Sequence, residues 1–96
     1  MSKFSRTATF LLSATDAAQT IQLGGPWNRL VITNRGAVAV GLGFITFAQD
    51  AADMTSYATA HKAVDAGYSF EVNVLASALK YITETGTATI EVVALT

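Results

Sequence analysis

The sequence predicts an all-β domain, an antiparallel β-sandwich of seven to eight short strands in a jelly-roll-like or immunoglobulin-like arrangement. Three observations predict it. Apolar side chains recur with a period of two along nearly the whole chain, the pattern of strands that bury one face. Turns containing glycine cut that pattern into short runs, as two packed sheets require. No stretch carries a convincing helical period.

In the first strand, over residues 7–12, Ala8, Phe10 and Leu12 alternate with threonine and leucine. In the second, Ile21 and Leu23 alternate with Thr20 and Gln22, and the run ends at Gly24-Gly25-Pro26, the strongest breaker in the chain and one whose proline cannot donate to a ladder. Residues 27–34 and 38–47 read as two antiparallel strands joined by Asn34-Arg35-Gly36, because Asn and Gly tolerate the positive φ of a tight hairpin. In the fourth strand Val38, Val40, Leu42 and Phe44 share one parity, and Ala39, Gly41, Gly43 and Ile45 the other. Successive side chains point to opposite faces, so large residues make a core face and the smallest ones an outer face. Glycines on an outer face expect close approach, from a loop of the same chain or from a neighbouring subunit.

Residues 48–60, AQDAADMTSYATA, break the alternation. A helical turn near residues 50–54 fits this stretch, and a loop so long in a small domain is expected to be functional or ordered by a partner. Strand character returns at residues 61–64, and Ala66-Gly67 marks a turn. Tyr68, Phe70, Val72 and Val74 then face one way, with Ser69, Glu71 and Asn73 opposite. Residues 79–84 make another strand, Thr85-Gly86 a turn, and residues 87–95 the last strand, in which Ala88, Ile90, Val92 and Ala94 oppose Thr87, Thr89, Glu91 and Val93. The expected core includes Ile32, Phe44, Phe70, Val72 and Ile90.

Ninety-six residues bound the chain to a single domain, 1–96, with a possible N-terminal arm at residues 1–6. Apolar residues make up 51% and charged ones only 14%, against about 25% charged in an average soluble domain. Such a chain exposes Ala, Thr, Gly and Val in quantity, and a contiguous exposed apolar patch marks an interface. The composition therefore points to a subunit of an assembly. The net charge is −1, and Lys3, Arg6, Arg29, Arg35, Lys62 and Lys80 are scattered, which argues against nucleic acid as a partner. Absence of cysteine excludes disulfides, thiolate zinc sites and a cysteine nucleophile, and suits a reducing cytosol. Lys3 and Arg6 ahead of ATFLLSA suggest a secretion signal, but the apolar core is too short and Asp16 follows at once. No stretch approaches a membrane span, so no membrane partner is expected.

The candidate chemistry is thin. His61 is the one histidine; with Asp50 and Asp53 it offers donors for a divalent ion, yet the spacing matches no ligand motif. Asp50, Asp53 and Asp65 lack the dense pattern of a calcium loop and read as turn residues. No serine, histidine and acid form a triad pattern. Glu71, Glu84 and Glu91 sit at polar-facing or strand-end positions rather than as a hydrolytic pair. Gly41-Leu42-Gly43 is too short for a phosphate loop. The expectation is no enzyme, no metal and no cofactor. Trp27 and Tyr57 are the aromatics weighed for stacking on a sugar ring, with Tyr57 the better placed.

RLVITNRGAVAVGLGF, KAVDAGYSFEVNV and LKYITETGTATIEVVAL together resemble small β-sandwich structural proteins of tailed bacteriophage virions, of the head decoration or cement type. The matching positions are Asn34 and Gly36, residues 40–44, Ala66-Gly67, Tyr81-Ile82 and Gly86-Thr87-Ala88; Asp65 stands where a proline is common. The resemblance covers residues 30–93 and implies a protein made in the host cytoplasm that binds the outer capsid surface, contacts the major capsid protein and often forms a homotrimer. By that resemblance it stabilises the lattice mechanically. The rival reading is a carbohydrate- or receptor-binding module of a phage fibre or lectin. The expected contacts with capsid or neighbouring subunits are Ser2, Lys3, Phe4 and Arg6 of the arm with Asp50, Asp53, Met54 and Tyr57 of the long loop, Met54 and Tyr57 supplying apolar anchors that a partner orders.

Overall fold

A computed structural model describes residues 7–46, 54, 56–73 and 76–96. Eight strands run in the order β1 (Thr7–Ala14), β2 (Gln19–Trp27), β3 (Arg29–Asn34), β4 (Val40–Thr46), β5 (Lys62–Val64), β6 (Ser69–Val72), β7 (Ala76–Thr83) and β8 (Ala88–Leu95). One sheet has the order β1-β8-β3-β6 and the other β2-β7-β4-β5; we call them sheet A and sheet B. The sandwich is therefore as the alternation predicts.

Strands pair antiparallel as β1 with β8, β2 with β7, β3 with β6 and β4 with β5. The first half of the chain thus runs against the second half as one long hairpin, rolled so that successive pairs fall alternately in the two sheets. That is the jelly roll, eight strands in two Greek keys, and it excludes the immunoglobulin-like alternative. One consequence overturns an expected hairpin. β3 and β4 lie in different sheets, so Asn34-Arg35-Gly36 is a corner between layers and not a tight turn within one. No non-glycine residue among those described has positive φ, and Gly36 is absent from the glycines that do.

What the corner needs instead is an internal clamp. Asn34 continues the buried parity of Leu30 and Ile32 and is itself fully buried. Its Nδ2 donates to the carbonyls of Val38 at 2.8 Å and Val64 at 3.0 Å, and its Oδ1 accepts from the Gly36 N–H at 2.9 Å. Its backbone bonds the far turn as well, through Tyr68 O and Gly67 N, both at 2.9 Å. One side chain thus ties the end of β3 to the corner before β4 and to β5. Gly36 is required by space: a Cβ there would run into Ala88.

The breaker at Gly24-Gly25-Pro26 also behaves differently from expectation. β2 runs through it to Trp27, with the register against β7 shifting between Gln22 and Trp27. β2 is an edge strand, where a missing proline N–H costs no ladder bond, and a bulge absorbs the irregularity. Gly24 takes φ +72°, and the Trp27 indole N–H donates to Leu23 O across the bulge at 2.7 Å. Trp27 is thereby buried as the last residue of β2, one strand earlier than the sequence suggested.

The core between the sheets contains Leu12, Leu23, Trp27, Leu30, Ile32, Val40, Leu42, Phe44, Leu79, Tyr81, Ile90 and Val92. Ile32, Phe44 and Ile90 are buried as expected; Phe70 and Val72 are only partly buried and pack on the margin. β6 is an edge strand, so one flank of each stays open. Tyr68, expected on the same parity as Phe70, is instead 66% exposed. It donates its N–H to Asp65 O and so closes a turn before the strand begins, where strand parity no longer governs direction.

Candidate functional site

The two outer faces differ in what lies on them. On sheet B, Gly41 and Gly43 are buried although they point away from the core. A Cβ at Gly41 would lie 2.7 Å from the Ala60 Cβ, 3.1 Å from the Tyr57 ring and 3.4 Å from Ile82. The expected close approach is therefore made by the chain's own loop, through side chains. Tyr57–Thr59 form a 3-10 turn in which Thr59 Oγ1 accepts from the Ser56 N–H at 3.4 Å and donates to Ser56 O at 3.0 Å. His61 N–H donates to Leu42 O at 2.8 Å, and His61 Nδ1 accepts from the Phe44 N–H at 3.2 Å. The histidine thereby extends the sheet edge.

Met54 and Ile82 form a second small core beneath this turn, with Ile45, Tyr57 and Ala60 against them. Met54 is 1% exposed, and its carbonyl accepts from Lys80 Nζ at 3.3 Å. Met54, expected to anchor a partner, is packed in this chain against Ile82 and its neighbours. Tyr57 is half-buried on the same face, and its phenol is pushed above the ordinary tyrosine pKa, first by desolvation and then by the charges of Glu84 and Asp65. Of the other expected contact residues, Ser2, Lys3, Phe4, Arg6, Asp50 and Asp53 lie outside the described residues, as does the helical turn expected near residues 50–54, apart from Met54.

Sheet A has no such cover among the described residues. Its cross-strand rows place Thr9, Val93, Val31 and Glu71 side by side, and next to them Leu11, Glu91, Thr33 and Ser69. Leu11 is 70% exposed, and Val31, Val93 and Leu95 are half-buried. Ion pairs border this strip, Arg29 with Glu71 at 3.1 Å and Arg35 Nε with Glu91 at 2.6 Å. Both are surface pairs, worth about 0–1 kcal/mol each. The alternation in β8 and β1 predicts the strip, but only the strand order places it on a single flat face.

No group of three or more His, Cys, Asp or Glu side chains converges among the described residues, and no helix there is long and apolar enough to cross a membrane. Of the two aromatics weighed for a sugar, Trp27 is buried with its N–H bonded inside and Tyr57 is packed on Gly41. Among the described residues the exposed aromatic is Tyr68, in a depression of about 250 Å³ where β5 meets β6.

No protein-family model matches the chain, and no curated protein does. Among solved structures, the SPBc2 prophage-derived protein YomS matches at a TM-score of 0.62 and 8% identity, covering 100% of this chain and 98% of its own. FeII HppE matches at 0.59 and 12% identity, covering 92% of this chain and 43% of its own. The stem and receptor-binding domain of spike protein P1 from bacteriophage PM2 matches at 0.56 and 18% identity, covering 88% of this chain and 32% of its own. At these identities the likeness is one of fold. The fold of this chain is shared, end to end, with a prophage-derived protein, and it corresponds to under half of the length of the phage spike and the FeII protein.

Proposed function

We propose that this chain is a bacteriophage virion structural protein and, more finely, a head decoration protein that binds the outer capsid surface as a homotrimer and cements neighbouring major capsid subunits. The observation that carries this reading is the outer face of sheet A, where Leu11, Val31, Val93 and Leu95 present apolar surface that no described residue covers. The resemblance over residues 30–93 supports it. So does a prophage-derived protein of the same fold, matched over 98% of its length.

Magnitudes suggest how the contact is divided. Four strands at about 4.8 Å spacing and about 20 Å length give a face of roughly 400 Å². A standard interface takes about 800 Å² from each partner, so sheet A supplies about half. We assign the rest to the arm, Ser2, Lys3, Phe4 and Arg6, and to Asp50 and Asp53 of the long loop. A protein that binds only the assembled shell stabilises it by mass action, by about 2.7 kcal/mol per site at a free concentration one hundred times Kd. No catalysis, metal or cofactor enters this mechanism.

The test adds purified protein to phage heads that lack it and follows head survival on heating. Restored heat resistance, with protein co-sedimenting at saturable stoichiometry, supports the decoration role. Heads that neither bind the protein nor gain resistance remove that role, and binding to the tail instead moves the protein elsewhere in the virion.

A further inference from the structure

The depression between β5 and β6 has features that the packing of the domain does not use. Its floor is structural: Phe70 stacks obliquely with Phe44 at 6.3 Å between ring centroids, and Lys62 Nζ stands 5.0 Å above the Phe70 ring. Its rim is not. Tyr68 is 66% exposed, and its hydroxyl makes no hydrogen bond to any described residue. The Asp65 carboxylate is exposed on the same rim. An aromatic ring, a carboxylate and an ammonium therefore surround one space of about 250 Å³. That is below the roughly 300–1,000 Å³ of sites for drug-sized ligands, and it suits a single six-membered ring.

We infer that this depression is a binding site for a neutral pyranose, stacked on Tyr68, with Asp65 accepting from its hydroxyls and Lys62 donating to them. The C–H face of a pyranose is apolar and weakly positive, matching the negative face of an aromatic ring. Its vicinal hydroxyls both donate and accept, so they use the carboxylate and the ammonium together, where a simple anion or cation would be repelled by one of them. The turn at Gly67, φ +81°, and the Asn34 bonds to Gly67 and Tyr68 hold the rim in place before any ligand arrives. The site is single, open and shallow, so affinity in the millimolar range is expected, about 4 kcal/mol of binding.

The experiment titrates isotope-labelled protein with methyl glucopyranoside, methyl galactopyranoside, methyl mannopyranoside and N-acetylglucosamine, following amide NMR shifts. We expect at least one sugar to shift amides confined to residues 62–70. Tyr68→Ala should weaken that sugar at least about fivefold while Tyr68→Phe, which keeps the ring, stays within about twofold. Asp65→Asn should weaken it with the amide pattern otherwise unchanged. No shift with any of the four sugars overturns the site, as do shifts centred elsewhere, such as at Asn28, Arg29 and Leu95. Shifts at residues 62–70 that depend on protein concentration without sugar mark a contact between copies and also overturn it. The titration needs no phage heads, so its outcome is independent of the decoration role.

Discussion

The outer faces of the two sheets present opposite solutions to the same problem. Both belong to four-stranded sheets that share one core, but sheet B is roofed by Met54 and residues 56–61 and sheet A carries no roof among the described residues. The difference traces to side-chain size. Gly41 lowers the surface of sheet B enough for Tyr57 and Ala60 to settle on it, and Met54 and Ile82 pack together with them there. On sheet A, Val31, Val93 and Leu95 stand on the corresponding face, and chain packed there would leave gaps rather than close contacts. Small outer residues invite a protein to cover itself; larger apolar ones on a flat sheet leave the covering to a partner.

The largest effect should come from the corner that holds the two sheets together. Asn34→Ala leaves the Val38 and Val64 carbonyls and the Gly36 N–H without their buried partners. Each unsatisfied group costs about 1–3 kcal/mol, so about 3 kcal/mol or more should be lost. That is a large share of the 5–15 kcal/mol typical of a domain. Urea melts that leave Asn34→Ala within 1 kcal/mol of the parent, roughly, would show that the clamp is dispensable.

Next in size is the roof itself. Met54→Ser removes a fully buried side chain and should cost about 2 kcal/mol or more, the reverse of what a free anchor would show. Gly41→Val pushes a side chain into Ala60 and Tyr57 and should cost about 1–3 kcal/mol. In both variants amide exchange should rise selectively over residues 56–61, since the turn detaches before the sandwich opens. If exchange rises uniformly instead, the roof and the sandwich form one cooperative unit and the two faces are less distinct than argued.

The bare face should respond in the opposite way. Val31→Thr with Val93→Thr keeps β-branched shape on half-exposed positions, so folding should move by no more than about 0.5 kcal/mol per site. Binding to heads should weaken at least about tenfold, or about 1.4 kcal/mol. Unchanged binding would shift the contact away from sheet A and onto the arm and loop.

Much of this was legible beforehand, and the reasons for the rest are physical. Period-two alternation gives strand faces directly, so Ile32, Phe44, Ile90 and the small-residue face of β4 could be read from the sequence alone. Pairing could not. In a jelly roll β1 pairs with β8 and β3 with β6, and nothing local in a strand names a partner so distant. For the same reason Asn34-Arg35-Gly36 read as a hairpin. The warning sign was Asn34 itself, a polar residue on the parity of Leu30 and Ile32, where a buried amide must find partners. Met54 reads as an anchor because so long a loop is expected to be ordered by a partner, whereas the outward-facing glycines of β4 equally allow the loop of the same chain to pack there. Tyr68 was placed by extending strand parity backwards into a turn. The exposed aromatic was present in the sequence, but the turn chemistry of Asp65-Ala66-Gly67 decided its direction.

The smallest expected effect is alkaline and belongs to the roofed side. Burial raises the Tyr81 pKa, and desolvation together with Glu84 and Asp65 raises that of Tyr57. In both, the folded state holds the phenol proton more tightly than the unfolded chain does, whose value is 10.0. The resulting contribution is fully present below that value and is lost as pH rises through the folded pKa, because the unfolded state then releases its proton first. Stability should therefore be flat from about pH 7 to 9 with respect to these groups and fall above about pH 10. Tyr81→Phe should flatten the fall measured by global urea melts. Tyr57→Phe should act locally, preserving the protection of residues 56–61 at a pH where the parent has begun to lose it, since its phenol lies on the roof and is partly screened by solvent. A parent protein whose roof and core lose protection at the same pH, unaffected by Tyr57→Phe, would mean that Tyr57 ionisation does not control the cover on sheet B.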